Sequence, residues 1–258
     1  MKTRLLVAAS NIGLVLLLVM GTATQAAEIK VLSSTGVQTI MEGIAPMFER
    51  ATGHKLAISF ANTEEIMKRV AEGEAADVII AFPLRLEGLE RDGKVVAGSV
   101  TAMARSGIGL AVRKGAPKPD ISSPEALKRT LLAAKSIACA NPARGSPSGT
   151  HFVMVLDRLG ISSEIKPRLL FPKRGLAGEL VASGEAEVAV QQIPELVQVD
   201  GIDLVAPFPG DLQVTFVYAT AITSNAAAAA EAKVLTEFLR TPDVTAVIRA
   251  KGFDPATP

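Results

Sequence analysis

Sulfur and imidazole are scarce in this chain. A single cysteine, Cys139, stands among 258 residues, so neither an intramolecular disulfide nor a multi-cysteine metal site can form. Two histidines, His54 and His151, leave little material for a transition-metal centre, and no metal or cofactor is expected. Tryptophan is absent, Tyr218 is the one tyrosine, and aromatic residues make up 4%. That argues against sugar-stacking platforms and against surfaces for single-stranded nucleic acid. Charge of one sign is missing too: 27 basic and 26 acidic residues give a formal +1, too weak a field to hold nucleic acid. What is present, 48% hydrophobic and 21% charged residues, is the balance of a folded globular protein long enough for two modest lobes.

The first segment, MKTRLLVAASNIGLVLLLVMGTATQAAEIKV, has the pattern of an export signal. Lys2 and Arg4 precede a largely apolar run from Leu5 to Met20, and Thr24 and Ala26 are small residues placed for cleavage near Ala26. The run is marginal for spanning about 30 Å of hydrocarbon. Residues 1–26 are therefore expected to be removed and the mature chain to be exported, periplasmic in a Gram-negative cell. Loss of Lys2 and Arg4 takes the formal charge from +1 to −1. The absence of disulfides in an oxidising compartment is no contradiction, because a chain this long can bury an adequate core.

Short β-rich runs then alternate with amphipathic stretches. EIKVLSS, KLAISFA and the unbroken apolar ADVIIAF predict strands, and Ile40, Ile44, Met47 and Phe48 form a helical stripe ending at Thr52-Gly53. The pattern repeats after the extended TAMARSGIGLAVRKG: a helix starting at Ser122-Ser123-Pro124-Glu125, the strand SIACANP, a helix opened by Ser148 or Thr150, then KPRLLFP, a helix, and EAEVAVQQI. Two extended segments and two C-terminal helices finish the chain. This alternation predicts an α/β protein with mostly parallel sheets. Two similar runs joined by long extended stretches predict two lobes: residues 27–105 with 215–258, and residues 106–214. Ligands in such folds bind at the carboxyl ends of strands, which places the expected site in the cleft between the lobes.

Three strand-to-helix junctions are rich in small and hydroxylic residues. They are Ser33-Ser34-Thr35-Gly36, Asn62-Thr63, and the stretch from Asn141 to His151 that contains Arg144, Ser148, Gly149 and Thr150. Unpaired N–H groups at helix starts, together with hydroxyls, can hold an oxyanion. The same residues also serve as ordinary helix caps. Neither the dinucleotide nor the P-loop glycine pattern is present.

Strand-SSTG-helix, HKLAISFANTEEIMKRVAEGEAADVIIAF, PARGSPSGTHFVMVLDRLGI and LVASGEAEVAVQQI together resemble the periplasmic molybdate-binding protein family. The resemblance covers the mature chain and implies a two-lobed type 2 periplasmic binding protein fold serving an ABC transporter. A monomer and a membrane permease as partner are what it implies further. The departures bear on the ligand. Gly36, beside Ser34 and Thr35, stands where the family has a serine in AASL; Thr63 replaces its second-loop serine; Gln192, preceded by Gln191, stands where it has an oxyanion-binding tyrosine. The third loop is one residue longer and carries Arg144 and His151.

An arginine fork is well matched to a carboxylate, whereas a tetrahedral dianion can be held by neutral donors alone. Arg144 and Arg105, with Gln191 and Gln192, therefore point to a small organic anion, a di- or tricarboxylate. Because the molybdate-binding-like group includes periplasmic aconitate isomerase, and QQI…EL and ARSGIG resemble that branch, a cofactor-free allylic proton transfer is the alternative. His151, which the same position also suits as a hydrogen-bond donor to the ligand or as a helix-surface imidazole, is then the candidate general base, since imidazole titrates near neutral pH, although the sequence names no unambiguous base.

Overall fold

The computed structural model describes residues 26–256; the expected leader and its cleavage lie outside the described residues. The strands are β1 (Glu28–Ser34), β2 (Lys55–Ala61), β3 (Val78–Ala81), β4 (Thr101–Ser106), β5 (Ile108–Arg113), β6 (Ile137–Cys139), β7 (Leu169–Leu170), β8 (Val188–Gln192), β9 (Ile202–Pro207), β10 (Phe216–Ile222) and β11 (Asp254–Pro255). The helices are α1 (Gln38–Thr52), α2 (Thr63–Ala71), α3 (Pro83–Arg91), α4 (Pro124–Ala133), α5 (Pro147–Arg158), α6 (Ser162–Ile165), α7 (Ala177–Ser183), α8 (Ile193–Leu196), α9 (Ala229–Phe238) and α10 (Pro242–Ala250).

The strands form two sheets, ordered β11-β4-β10-β3-β1-β2 and β7-β6-β8-β5-β9. The expectation of mostly parallel sheets is corrected here. Parallel pairing is confined to β1 with β2 and β3, and to β6 with β7 and β8. The other five pairings are antiparallel. For the four pairings of β5 and β10 the cause is the double crossing. β4 and β9 leave their sheets at the cleft end, so β5 and β10 enter from that end and run against their neighbours.

The crossings meet at Gly107, between β4 and β5, and at the segment before β10. Gln213 on the second crossing acts on Ile108 as a neighbouring strand would: its Oε1 accepts from Ile108 N (2.8 Å) and its Nε2 donates to Ile108 O (2.8 Å). A Cβ on Gly107 would stand 2.8 Å from the Gln213 Cδ, so the clasp needs glycine there.

Helices cover both faces of each sheet. In α1, Ile40, Met41, Ile44 and Phe48 are fully buried, each side chain contributing roughly 1.5–3 kcal/mol of transfer energy. They share a cluster with Ile29, Val31 and Val78 from the sheet and Leu235, Val244 and Ile248 from α9 and α10; the C-terminal helices thus complete the first lobe. Gly53, at φ 77°, ends α1 in the left-handed region. On the opposite face Ile66 of α2 and Leu86 of α3 pack on Leu32 and Ile79. In the second lobe α4 and α5 bury Leu127, Leu131, Phe152 and Val155 on one face, and α7 and α8 cover the other with Val181 and Leu196.

Two acidic residues ahead of buried strands anchor the two sheets. Asp77, only 3% exposed, accepts from Lys30 N (2.8 Å) and Ala228 N (2.9 Å). Glu187, the matching residue of the second lobe, accepts from Lys135 N (2.7 Å). Two boundaries differ from expectation. α5 opens at Ser146, whose Oγ accepts from Gly149 N while Pro147 takes the first helical position, ahead of Ser148 and Thr150. KPRLLFP supplies only the two-residue β7.

Candidate ligand cleft

The carboxyl ends of β1, β2 and β3 face those of β6 and β8 across a cavity of about 540 Å³. On the first-lobe side Ser34, Thr35 and Gly36 follow β1, Asn62, Thr63 and Glu64 follow β2, and Phe82 follows β3. Most of these polar groups are already engaged. Ser34 Oγ accepts from Gly36 N (3.2 Å), and Asn62 Oδ1 caps α2 by accepting from Glu65 N (2.9 Å). Glu64 is neutralised by Arg85. Thr63 is the exception: its Oγ1 is buried in the cavity wall and among the described residues has no hydrogen-bond partner.

The second-lobe side supplies Arg144 and Ser146 from the turn after β6, Gly175 and Leu176 ahead of α7, and Gln191, Gln192 and Glu195 around the end of β8. Arg144 Nη1 donates to Lys173 O (2.8 Å), which holds the guanidinium at the rim with further N–H groups to offer. Gln191 Oε1 accepts from Ala177 N (2.7 Å) at the start of α7. Gln192 Oε1 accepts from Ser106 Oγ (2.7 Å) and Tyr218 OH (3.1 Å), both from the other sheet. Each glutamine thus engages its carbonyl with the protein; among the described residues the Gln192 Nε2 has no protein partner, whereas the Gln191 amide acts on the Glu195 carboxylate.

Tyr218 enters from β10 and also lines the cavity. A Cβ on Gly36 would lie 2.2 Å from its hydroxyl, so the glycine of the SSTG loop makes room for this phenol. Burial pushes the Tyr218 phenol above its ordinary value, and the nearby Glu195 carboxylate pushes it the same way. Part of Glu195 reaches the surface, but its Oε2 is buried and unpartnered. Burial raises the Glu195 carboxyl to about 7, against the opposing pull of the Gln192 backbone and the Gln191 side chain.

The family model for bacterial extracellular solute-binding proteins matches residues 29–254. The chain belongs to this family. A curated relative, the aconitate isomerase of a Pseudomonas species, is 34% identical over 231 residues, 87% of each chain. The molybdate-binding protein of Azotobacter vinelandii is 31% identical over 239 residues, 90% of this chain and 91% of that one. Among solved structures, the substrate-binding domain assigned to a molybdenum ABC transporter of Clostridium difficile superposes with a TM-score of 0.76 at 18% identity, covering 90% of this chain and all of the other. The two-lobed fold expected from sequence is the fold of this solute-binding protein.

Of the residues singled out from sequence, Ser34, Thr35, Gly36, Asn62, Thr63, Arg144, Gln191 and Gln192 come together in the cleft of this solute-binding protein. The rest lie away from its lining. Ser33 is fully buried, with its hydroxyl turned to Ser34 O (3.3 Å). Arg105 sits on β4 and donates to Pro255 O (3.3 Å). Ser148 is buried beside Ser146, and Thr150 Oγ1 donates back to Ser146 O (2.9 Å). Gly149 is a packing glycine, since a Cβ there would stand 2.1 Å from Ala140 O.

His151 Nε2 lies 2.9 Å from Leu212 O. A carbonyl only accepts, so this nitrogen carries the proton, and the ring ties α5 to the second crossing instead of facing the cleft. The cleft residues that sequence reasoning missed are chiefly Glu195 and Tyr218. QQIPEL put Glu195 in the first turn of a short helix, where an acid is commonplace, and Tyr218 was notable only as the one tyrosine.

Proposed function

We propose that this cleft captures a small organic anion carrying two or three carboxylates. In this reading the mature protein is periplasmic and delivers its ligand to the membrane permease of an ABC transporter. The observation that carries the proposal is the set of groups that, among the described residues, are left free in the cavity wall: Thr63 Oγ1, the Gln192 amide, and the remaining N–H groups of Arg144. An arginine fork and a carboxamide match planar carboxylates. A cavity of about 540 Å³ lies within the range of roughly 300–1,000 Å³ that encloses small organic molecules. Titration calorimetry against cis-aconitate, trans-aconitate, citrate and molybdate tests it. Binding of a tricarboxylate, weakened about tenfold to a hundredfold by Arg144→Ala, is the expected result. Binding of molybdate with no response to any carboxylate would sink it.

A second reading, a cofactor-free isomerase interconverting cis- and trans-aconitate, is supported by the 34% identical relative of that name and by the Glu195 carboxyl in the cavity wall. A proton NMR time course of either isomer with the wild-type protein decides between capture alone and conversion.

A further inference from the structure

We propose that Glu195 is the catalytic residue of the isomerase reading, the one group that takes the allylic proton of the bound tricarboxylate and returns it to the far carbon. The inference rests on that reading and replaces His151, whose Nε2 is bound to Leu212 O.

The geometry carries the argument. Glu195 lines the cavity, and its Oε2 is buried without any hydrogen-bond partner. An ordinary helix-capping glutamate has its oxygens on backbone N–H groups or in water. The Gln192 backbone at the N-cap of α8 and the Gln191 side chain act on the Glu195 carboxyl, yet its Oε2 has no partner among the described residues. The groups around it on β8 and β10 are the neutral Gln191, Gln192 and Tyr218. Of the charged side chains on the other elements packed on α8, Arg113 of β5 donates to Ala182 O, Asp203 of β9 accepts from Gly115 N, Lys251 ahead of the Gly252 turn lies near Gly43 of α1, and Glu179 of α7 stands beside Gly175 at the cavity rim; none of them is among the groups that act on the Glu195 carboxyl. A second lobe-one segment closes over α8, since a Cβ on Gly252 would stand 2.8 Å from Val197 Cγ2. The carboxyl is therefore shielded and neither neutralised by a cation nor repelled by a second carboxylate. A group titrating at about 7 is suited to both halves of a proton transfer at neutral pH.

The step balances without cofactor. The ionised Glu195 oxygen forms an O–H bond as the methylene C–H bond of the substrate breaks. The electron pair spreads across the allylic system onto the far carboxylate, where Arg144 and the Gln192 amide can stabilise it. The double bond shifts, the Glu195 O–H protonates the far carbon, and the carboxylate is restored. Nothing is oxidised or reduced and no water is consumed.

The test compares wild type with Glu195→Gln and Glu195→Asp, following cis- and trans-aconitate by NMR in D2O with binding measured in parallel by calorimetry. Wild type should interconvert the isomers and exchange the methylene proton. E195Q should bind either isomer within about threefold of wild type and lose at least about a hundredfold in rate; the shorter Glu195→Asp carboxylate should keep part of it. Wild-type kcat should rise with pH as the carboxyl ionises. E195Q turning over within threefold of wild type overturns the assignment. Wild type that binds aconitate yet neither converts nor exchanges it overturns the isomerase reading itself, and the assignment with it, while leaving the capture reading intact. If E195Q fails to fold, an E195D variant with unchanged rate and unchanged pH profile overturns the assignment equally.

Discussion

The two lobes are built to one plan and equipped differently. Reading inward from the crossing strands, β4-β10-β3-β1-β2 in one sheet matches β9-β5-β8-β6-β7 in the other, and each central strand follows a Gly-Glu-Ala phrase with an acidic anchor, Asp77 or Glu187. The first lobe presents hydroxyls and caps to the cleft, with its one acid there, Glu64, paired to Arg85. The second presents a guanidinium, two carboxamides and a buried carboxyl. Where β3 ends in Phe82-Pro83, the matching β8 ends in Gln192 and the turn that carries Glu195. One half thus presents mainly hydroxyls and helix caps, and the other, in the proposed reading, the groups that would distinguish ligands.

Substitutions that treat the lobes alike should expose the difference. The largest effect is expected at the anchors. Asp77→Ala strands two backbone N–H groups in the interior and should destabilise by about 2–5 kcal/mol. Glu187→Ala, whose partner N–H can turn to water, should lose less than about 1 kcal/mol. Urea unfolding of both variants checks this, and equal losses would break the comparison.

Next is the pH dependence of the second lobe. Glu195 is raised from its ordinary 4.5 to about 7, so the folded state holds that proton more tightly than the unfolded chain. The resulting stability is fully present below pH 4.5 and is lost as pH rises through 7, on the order of 3 kcal/mol. The difference between wild-type and E195Q unfolding midpoints, followed from pH 4 to 8, should trace that loss; a constant difference would contradict it.

A smaller loss, about 1–3 kcal/mol, is expected for Gly36→Ala, which drives the Tyr218 hydroxyl from its place against the first-lobe loop and from Gln192. Thermal melts report the loss, and calorimetry should show weaker tricarboxylate binding as well. The smallest effect belongs to His151→Ala. It removes one hydrogen bond to Leu212 O, about 1 kcal/mol, and should leave tricarboxylate affinity unchanged in the same titration. A loss of affinity there would return His151 to the cleft.

Local patterns were enough for the alternation of strands and helices and the two-lobed plan, but not for which junction residues line the cleft: Ser34, Thr35, Gly36, Asn62, Thr63 and Arg144 do, whereas Ser33, Ser148, Gly149, Thr150 and His151 do not. Those patterns were also right that Ser34 and Asn62 could be ordinary caps, which is what both hydroxyl and carboxamide do. The phrase GEAADV stands out in the sequence because Asp77 ties β1, β3 and the approach to α9 together, a structural duty. Glu195 was not legible, because its burial comes from α8 being covered by β5, β9 and the turn at Gly252, distant in sequence. Tyr218 reaches the cleft only because the second crossing returns β10 beside β3. The direction of the crossing strands was hidden for the same reason: it follows from which end of a sheet the chain leaves, a property of the whole path.

The clasp that Gln213 makes on Ile108 bears on how such a molecule can move. The clasp lies between the Ser106–Phe216 pairing of β4 with β10 and the Gly109–Pro207 pairing of β5 with β9, so a swing of one lobe about that short stretch would carry the pair along and leave the two bonds whole. Sliding one crossing past its neighbour would break them both at once. Were the walls of the cleft to close on a ligand, such a clasp would favour a hinge, as the covers of a book move, over a shear, and Arg144 would meet the same stretch of the opposite wall each time.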